Sequence, residues 1–427
     1  MVLSGFLSEV RGFSFGSKFI NKVETFQPIQ KSDRIRVVDA VRGFALFAIL
    51  LANVPIAEHA DVLYKTRGFI LGSQGTDRLL DGILHLLIDK KFVAIFSILF
   101  GFGFYVQLKR AEERGIAFRK YFFVRMLLLL TIACIHAYFL WFGDIIRDYA
   151  ICGILVLLVY RWSPKKILIT GLLFAILGTA IVFILNGLIG VSYPFDTSIV
   201  NEHPLTTSYW RYVQINARID PFRNFIQDSP ITLVFTFGCM LVGFAMAKSG
   251  FFHQYEKFGK TTTTLISLGV FFGLTSSYLF WMISIGKLEI TPALIWLPIV
   301  IVAGLFLQSL FYISAFVKLY QKNWFKKLVL PFEFVGRMAL SNYILQSVFY
   351  LLIFFHCTPG LNLYGGVTLT ETYLVAVAIF IVQIIFSKWW LKKHSQGPIE
   401  FLWKNLVYRF FSKDVDHKQV STSPVLK

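Results

Sequence analysis

The chain has 427 residues, of which 56% are hydrophobic and 15% charged, with a mean hydropathy of +0.65. A soluble domain carries about 25% charged residues, so the composition excludes an ordinary water-soluble fold and points to a chain solvated by lipid. The formal net charge of +18 lies mainly in short segments between apolar runs, which fits orientation in a membrane better than binding to nucleic acid.

Residues 1–37 form a mixed tail that ends in Lys31, Arg34 and Arg36. This flank resembles the start of a signal peptide, but the apolar run behind it is too long and lacks a small-residue cleavage site, so the first helix is expected to be retained. Apolar segments follow near 38–57, 92–108, 122–142, 147–160, 166–190, 230–247, 262–286, 293–316, 338–356 and 371–392. They predict an all-α, polytopic integral membrane bundle of about ten transmembrane helices. The fourth segment is short for about 30 Å of hydrocarbon. The Lys/Arg-rich stretches 109–125, 161–166, 248–260, 318–327 and 388–413 alternate with loops at 143–146, 287–292 and 357–370 that carry almost no positive charge. That asymmetry predicts both termini on the cytoplasmic side.

The expected organisation is a cytoplasmic tail at 1–37, an N-terminal membrane half at 38–190, an extracytoplasmic interfacial segment at 191–229, a C-terminal membrane half at 230–410 and a cytoplasmic tail at 411–427. Leu79 to Ile88 and Tyr209 to Ile226 interleave apolar and charged residues. They suit the membrane surface, or else form a lid or groove for an acceptor. No internal repeat of the kind that builds many transporters is evident. Cys134, Cys152, Cys239 and Cys357 show neither a disulfide framework nor a zinc pattern, and no metal site is expected.

Ionisable and amide side chains inside apolar segments are costly, so each is a candidate site residue. In the first segment Asp39 and Arg42 stand three apart and can pair, and Asn53 lies about 16 Å further along one helical face. A plain interfacial ion pair with Asn53 as interhelical glue explains them equally well. His136 lies roughly 21 Å into the third segment, and Asp144 falls two turns later on a similar face if that helix continues. A histidine oriented by a carboxylate is suited to general-base work, although another helix could simply hold it. Asp144, Arg147 and Asp148 read either as a tight turn or as the polar mouth of a site. Arg337, Asn342 and Gln346 line the start of the ninth segment, either as interhelical ties or as contacts to a polar ligand. Glu333 is placed to pair with Arg337, Glu400 with nearby cations, and Gly101 and Gly103 are expected to allow close helix contact.

Five stretches together resemble the YeiB-like family of bacterial membrane proteins, which carry a C-terminal domain of unknown function numbered 418. They are DAVRGFALFAILLAN at 39–53, KFVAIFSILFGFGF at 91–104, IHAYFLWFGDIIRDYAICG at 135–153, GRMALSNYILQS at 336–347 and GPIEFLWKNLVY at 397–408. The resemblance implies relatedness to membrane acyltransferases, including heparan-alpha-glucosaminide N-acetyltransferase. A large group of sugar-modifying acyltransferases has Arg followed eleven residues later by His in the first helix; here Arg42 is followed by Asn53. The glucosaminide acetyltransferases also place Asn there and take their histidine from the outer segment that follows, where this chain offers His59 and His85. The catalytic histidine is therefore one of His136, His85 and His59.

The leading expectation is transfer of an acyl group, acetyl first, from cytosolic acyl-CoA to an extracytoplasmic hydroxyl or amine, such as a cell-envelope glycan. Acyl-CoA enters as a donor substrate, with no covalently bound cofactor. Membrane lipid is the expected surrounding, in the plasma (inner) membrane of a bacterium. A transporter or channel for a small solute, or a non-catalytic scaffold or sensor, would use the same polar residues differently.

Overall fold

The computed structural model describes residues 35–58, 75–113, 118–189, 202–220, 222, 225–251 and 255–420. The candidate His59 and the tail at 1–34 lie outside them. The described residues contain helices and no strand. The N-terminal half supplies α1 (Arg36–Glu58), α2 (Thr76–Leu87), α3 (Lys91–Glu113), α4 (Phe118–Phe139), α5 (Ile146–Val159), α6 (Pro164–Leu172) and α7 (Thr179–Ile189). After α8 (Tyr209–Ile219), the C-terminal half runs through α9 (Phe225–Lys248), α10 (Gly259–Ser284), α11 (Leu297–Leu319), α12 (Asn323–Arg337), α13 (Ala339–Ile353), α14 (Leu369–Trp390) and α15 (Pro398–Val420).

Each of the ten apolar segments of the sequence has most of its length on a helix. Among the described residues, seven stretches are long and apolar enough to cross a bilayer: α1, α4, α6 with α7, α9, α10, α11 and α14. The pair α12–α13, bent by 83°, makes an eighth crossing if it is taken as one broken span. The protein is a polytopic membrane helix bundle. Lipid offers no hydrogen bonds, so its backbone polar groups must be satisfied within helices, and this is why the apolar runs fold as helices.

Apolar side chains gain little by choosing each other over lipid tails, so close backbone approach must supply the packing. At the centre, α3 crosses α9 where a side chain on Gly101 would strike the Met240 carbonyl and one on Gly243 would strike that of Ile98. Phe104 of α3 fills the adjoining space, with ring centroids 4.2 Å from Phe122 and 5.4 Å from Phe244. A second close crossing joins α1 to α12, where Gly43 meets the Phe332 carbonyl and Gly336 meets that of Asp39. By contrast, α10 is the most peripheral of the apolar helices. Phe271, Phe272 and Tyr278 are exposed along it, while Ser277 on its inner face donates to Gln308 of α11 at 2.5 Å.

The break between α12 and α13 falls at Met338, whose φ and ψ of −118° and 40° leave the helical region. A break frees amide groups at the start of the next helix. Here Glu400 of α15 accepts from the amides of Leu340 and Ser341 at 2.8 and 3.2 Å and from the Ser341 hydroxyl. Glu400 therefore serves backbone donors rather than the cations expected from its sequence neighbours. Burial pushes its carboxyl up from the ordinary range, and these hydrogen bonds pull it back.

Candidate functional site

The last carbonyls of any helix lack intrahelical partners. Where α4 ends, the His136 carbonyl accepts from the amides of Leu140 and Trp141, both at 2.9 Å. The next carbonyls, of Tyr138, Phe139 and Leu140, accept from Asn216 Nδ2, Tyr209 Oη and Tyr212 Oη at 3.0, 2.7 and 2.7 Å. All three donors stand on α8. The segment expected to lie on the surface thus caps α4 as well. His203 braces it, with Nε2 2.8 Å from Asn216 Oδ1 and its ring stacked on Tyr212 at 4.6 Å. Burial lowers the His203 imidazole to about 4, so the ring is held neutral.

The helix does not continue to Asp144. It stops at Phe139, and the 140–145 connection folds back toward the bundle. That turn, rather than helical periodicity, sets Asp144 Oδ2 2.6 Å from His136 Nδ1. The other carboxylate oxygen accepts from the Arg147 amide at 2.8 Å, in the first turn of α5, where a helix favours negative charge. His136 Nε2 lies 2.8 Å from Ser347 Oγ on α13. His136 and Ser347 are at most 2% exposed and the Asp144 side chain is fully buried. A carboxylate only accepts, so Nδ1 carries a proton; the tautomer with Nδ1 alone protonated leaves Nε2 to accept from the serine hydroxyl. The three residues form a continuous carboxylate–imidazole–hydroxyl relay.

Arg147 extends the relay. Its Nη1 lies 2.7 and 2.8 Å from the two carboxylate oxygens of Asp220, and its Nε 3.8 Å from Asp144 Oδ1. The guanidinium also covers the Phe222 ring at 4.5 Å. Asp220 and Phe222 lie on the wall of an open groove of about 470 Å³, together with Tyr138, Phe139, Val213 and Ala217. Asp148 is buried in the same first turn of α5. Tyr343 closes the other side, its ring 5.2 Å from that of His136 and its hydroxyl 3.4 Å from the Ile145 amide.

The remaining candidates are distributed elsewhere. Asn342 Nδ2 donates to Ser387 Oγ and the Val335 carbonyl at 2.9 and 3.1 Å. Gln346 Nε2 donates to Gln383 Oε1 and the Leu46 carbonyl at 3.2 and 3.3 Å. Asn342 thus ties α13 to α12 and α14, and Gln346 ties it to α1 and α14. Asp39 and Arg42 pair at 3.3 Å near the start of α1, and Arg42 Nη2 reaches the Leu99 carbonyl at 3.4 Å. Glu333 accepts from Arg36 and Tyr320 at 2.9 and 2.6 Å, so its partners differ from the Arg337 expected, which ends α12. Asn53 is half-buried toward the far end of α1. His85 sits 3.5 Å from Asp89 and stacks on Phe280, in the contact between α2 and α10. Among the described residues, no group of three or more His, Cys, Asp or Glu side chains could hold a metal ion.

Two residues of the site carry no mark in the sequence. Ser347 is the last residue of GRMALSNYILQS, one position past Gln346, and a lone serine in an apolar helix carries no signal of its own. Asp220 ends α8 in a mixed-charge stretch where nothing marks its partner 73 residues earlier.

Residues 246–410 match a family described as a protein of unknown function, DUF418. The chain is 30% identical over 410 residues to the uncharacterized protein YxaH of Bacillus subtilis (strain 168), covering 90% of this chain and 97% of that one. It belongs to the YeiB-like family of membrane proteins. The uncharacterized protein YeiB of Escherichia coli (strain K12) is 27% identical over 397 residues, 88% of this chain and 97% of its own length. An uncharacterized 39.9 kDa protein from the amylase 3′ region of Bacillus acidopullulyticus is 29% identical over 399 residues, 89% of this chain and 96% of its own. No solved structure matches the chain. In this YeiB-like protein the family match takes in α13 with Ser347, while the relatives' overlap of nearly nine-tenths of the chain or more is wide enough to span both membrane halves.

Proposed function

We propose that this YeiB-like protein is a membrane acyltransferase of the bacterial plasma membrane. It moves an acyl group, acetyl first, from cytosolic acyl-CoA to an extracytoplasmic hydroxyl or amine. The observation that supports this reading is the buried Asp144–His136 pair with its second ring nitrogen turned to a hydroxyl. Acyl transfer needs a base for the proton of the attacking group, and an imidazole oriented by a carboxylate is suited to that. Asp144 fixes the tautomer and stabilises the imidazolium that forms. The basic segments at the helix ends attract the phosphates of the donor. The groove beside Asp220 offers aromatic faces and a carboxylate to a polar acceptor.

A second reading is favoured by one feature, the burial of Arg147 among Asp144, Asp148 and Asp220, since intramembrane charge also marks transport routes. Purified protein in nanodiscs, given acetyl-CoA and a panel of hexoses and hexosamines, separates the two. Acceptor-dependent release of the coenzyme thiol is expected from the wild type and not from folded His136→Gln. Full activity in that variant would sink the role of His136. Solute movement into proteoliposomes with no thioester consumed would replace the enzyme by a transporter.

A further inference from the structure

We propose that Ser347 is the nucleophile and carries the acyl group as an ester, so that transfer occurs in two half-reactions. The acyl-transfer reading supplies the donor; the assignment of the serine rests on geometry.

Three observations converge on this residue. First, its Oγ lies 2.8 Å from His136 Nε2, the nitrogen left as acceptor because Nδ1 is engaged by Asp144 at 2.6 Å. A serine aimed at a base whose far side is oriented by a carboxylate is the arrangement that activates a hydroxyl for attack. Second, the three residues come from α4, the following connection and α13, with His136 and Ser347 separated by 211 positions. A serine satisfying only itself within a helix would instead donate to the carbonyl one turn back, as Ser97 and Ser284 do here. Third, the tetrahedral intermediate needs a donor for its oxyanion. Tyr350 stands three residues past Ser347 on α13, roughly 5–6 Å away between Cβ atoms. It is 1% exposed, and its hydroxyl has no hydrogen-bond partner among the described residues. A buried phenol with no partner is costly in a stable protein, and a developing oxyanion would supply that partner.

In the first half-reaction Ser347 Oγ attacks the thioester carbonyl carbon as its proton passes to His136 Nε2. The C–S bond then breaks, and the imidazolium returns the proton to the departing thiolate, giving coenzyme A thiol and an acyl-serine ester. In the second, the acceptor hydroxyl or amine attacks the ester carbonyl and gives its proton to Nε2. The C–Oγ bond breaks and the proton returns to Ser347, so the enzyme is regenerated with no redox change. Water in place of the acceptor yields a free acid, so slow thioesterase activity is expected without acceptor.

The test uses the full-length protein in detergent micelles with two probes, a fluorophosphonate and acetyl-CoA, and locates adducts by peptide mass spectrometry. Either probe should modify the Ser347 peptide. Ser347→Ala should lose the adduct, Asp144→Asn should slow its formation at least tenfold, and Tyr350→Phe should slow acetylation about a hundredfold. Ser347→Cys should retain the acetyl group as a hydroxylamine-sensitive thioester. Thermal unfolding confirms that each variant is folded. Transfer at wild-type rate by Ser347→Ala would overturn the nucleophile and leave the acyl-transfer reading intact. A fluorophosphonate adduct on Ser347 with no turnover of acetyl-CoA would keep the nucleophile and overturn the donor. Folded wild type that takes neither probe at Ser347 overturns the proposal.

Discussion

Helix α13 carries two polar clusters side by side. Asn342 and Gln346 meet Ser387 and Gln383 of α14 and the Leu46 carbonyl of α1. Ser347, one position on, meets His136 and through it Asp144, Arg147 and Asp220. The first cluster is made of amides, a hydroxyl and backbone, and nothing in it changes charge near neutral pH. The second is built around an imidazole, carboxylates and a guanidinium, and it ends beside a groove open to the surface. Burial alone does not distinguish them, since Asn342 and Ser347 are both almost wholly hidden. The distinction is the partner: the amides are tied to side chains and backbone that fasten helices together, whereas the proposed acyl transfer would make a hydroxyl tied to an oriented imidazole a reagent.

The sharpest way to break that contrast is Asp144→Asn. It should preserve the fold and lower kcat for acyl transfer about 10²- to 10⁴-fold with KM little changed, because the wrong imidazole tautomer is then presented to Ser347. Steady-state kinetics on the purified variant decide it; a loss in KM alone would make Asp144 a structural residue. Next in size is Arg147→Met, which leaves Asp220 and Asp144 without their buried cation. It should destabilise the protein by about 3–5 kcal/mol, and adding Asp220→Asn should recover part of the loss. Thermal unfolding of the single and double variants in detergent would show strict additivity if the pair were irrelevant.

Acid should loosen the cap that α8 places on α4. His203 is held near 4 in the folded protein against an ordinary value of about 6.5. The unfolded cap therefore binds the extra proton first as pH drops. The stability due to a neutral His203 is whole above about 6.5 and is lost progressively as pH falls toward 4, a difference of about 3 kcal/mol. Hydrogen exchange in 202–219 should rise over that window in the wild type, and His203→Gln should flatten the response. In the amide cluster, Gln383→Leu should cost only about 1 kcal/mol and leave turnover per folded molecule within a factor of two or so. A collapse of turnover would make the amides part of the chemistry. Smallest of all, a double-mutant cycle on Asp39 and Arg42 should return a coupling of about 0.5 kcal/mol, since the pair is partly exposed. No coupling would remove it as a constraint on α1.

The bundle was legible because lipid solvation imposes long apolar runs, and each expected segment lies mostly on a helix. The pairing of His136 with Asp144 was also legible, but for an incomplete reason. Eight residues suit two helical turns, and the apolar Leu140, Trp141 and Phe142 give no stop signal, yet the helix ends at Phe139 once α8 supplies donors for its carbonyls. Ser347 and Asp220 were illegible since their meaning lies wholly in distant partners. Asn342 and Gln346 were legible as polar residues in an apolar helix, but only the side chains they touch separate a tie from a binding group. Glu400 shows the same limit: the surrounding cations suggest ion pairing, while the break at Met338 decides where its carboxylate goes.

One turn of α15 holds both helices that bear the relay. Glu400 engages the start of α13. Three residues on, Trp403 Nε1 donates to the Arg125 carbonyl of α4 at 2.9 Å, and the Arg125 guanidinium covers its ring at 3.8 Å. Ser347 lies six residues beyond Ser341, and His136 eleven beyond Arg125. A slip of a single residue along either helix is about 1.5 Å, enough to carry a 2.8 Å hydrogen bond out of range. The C-terminal helix thus works as a gauge block, laid across two rods at one end so that their working tips meet at the other.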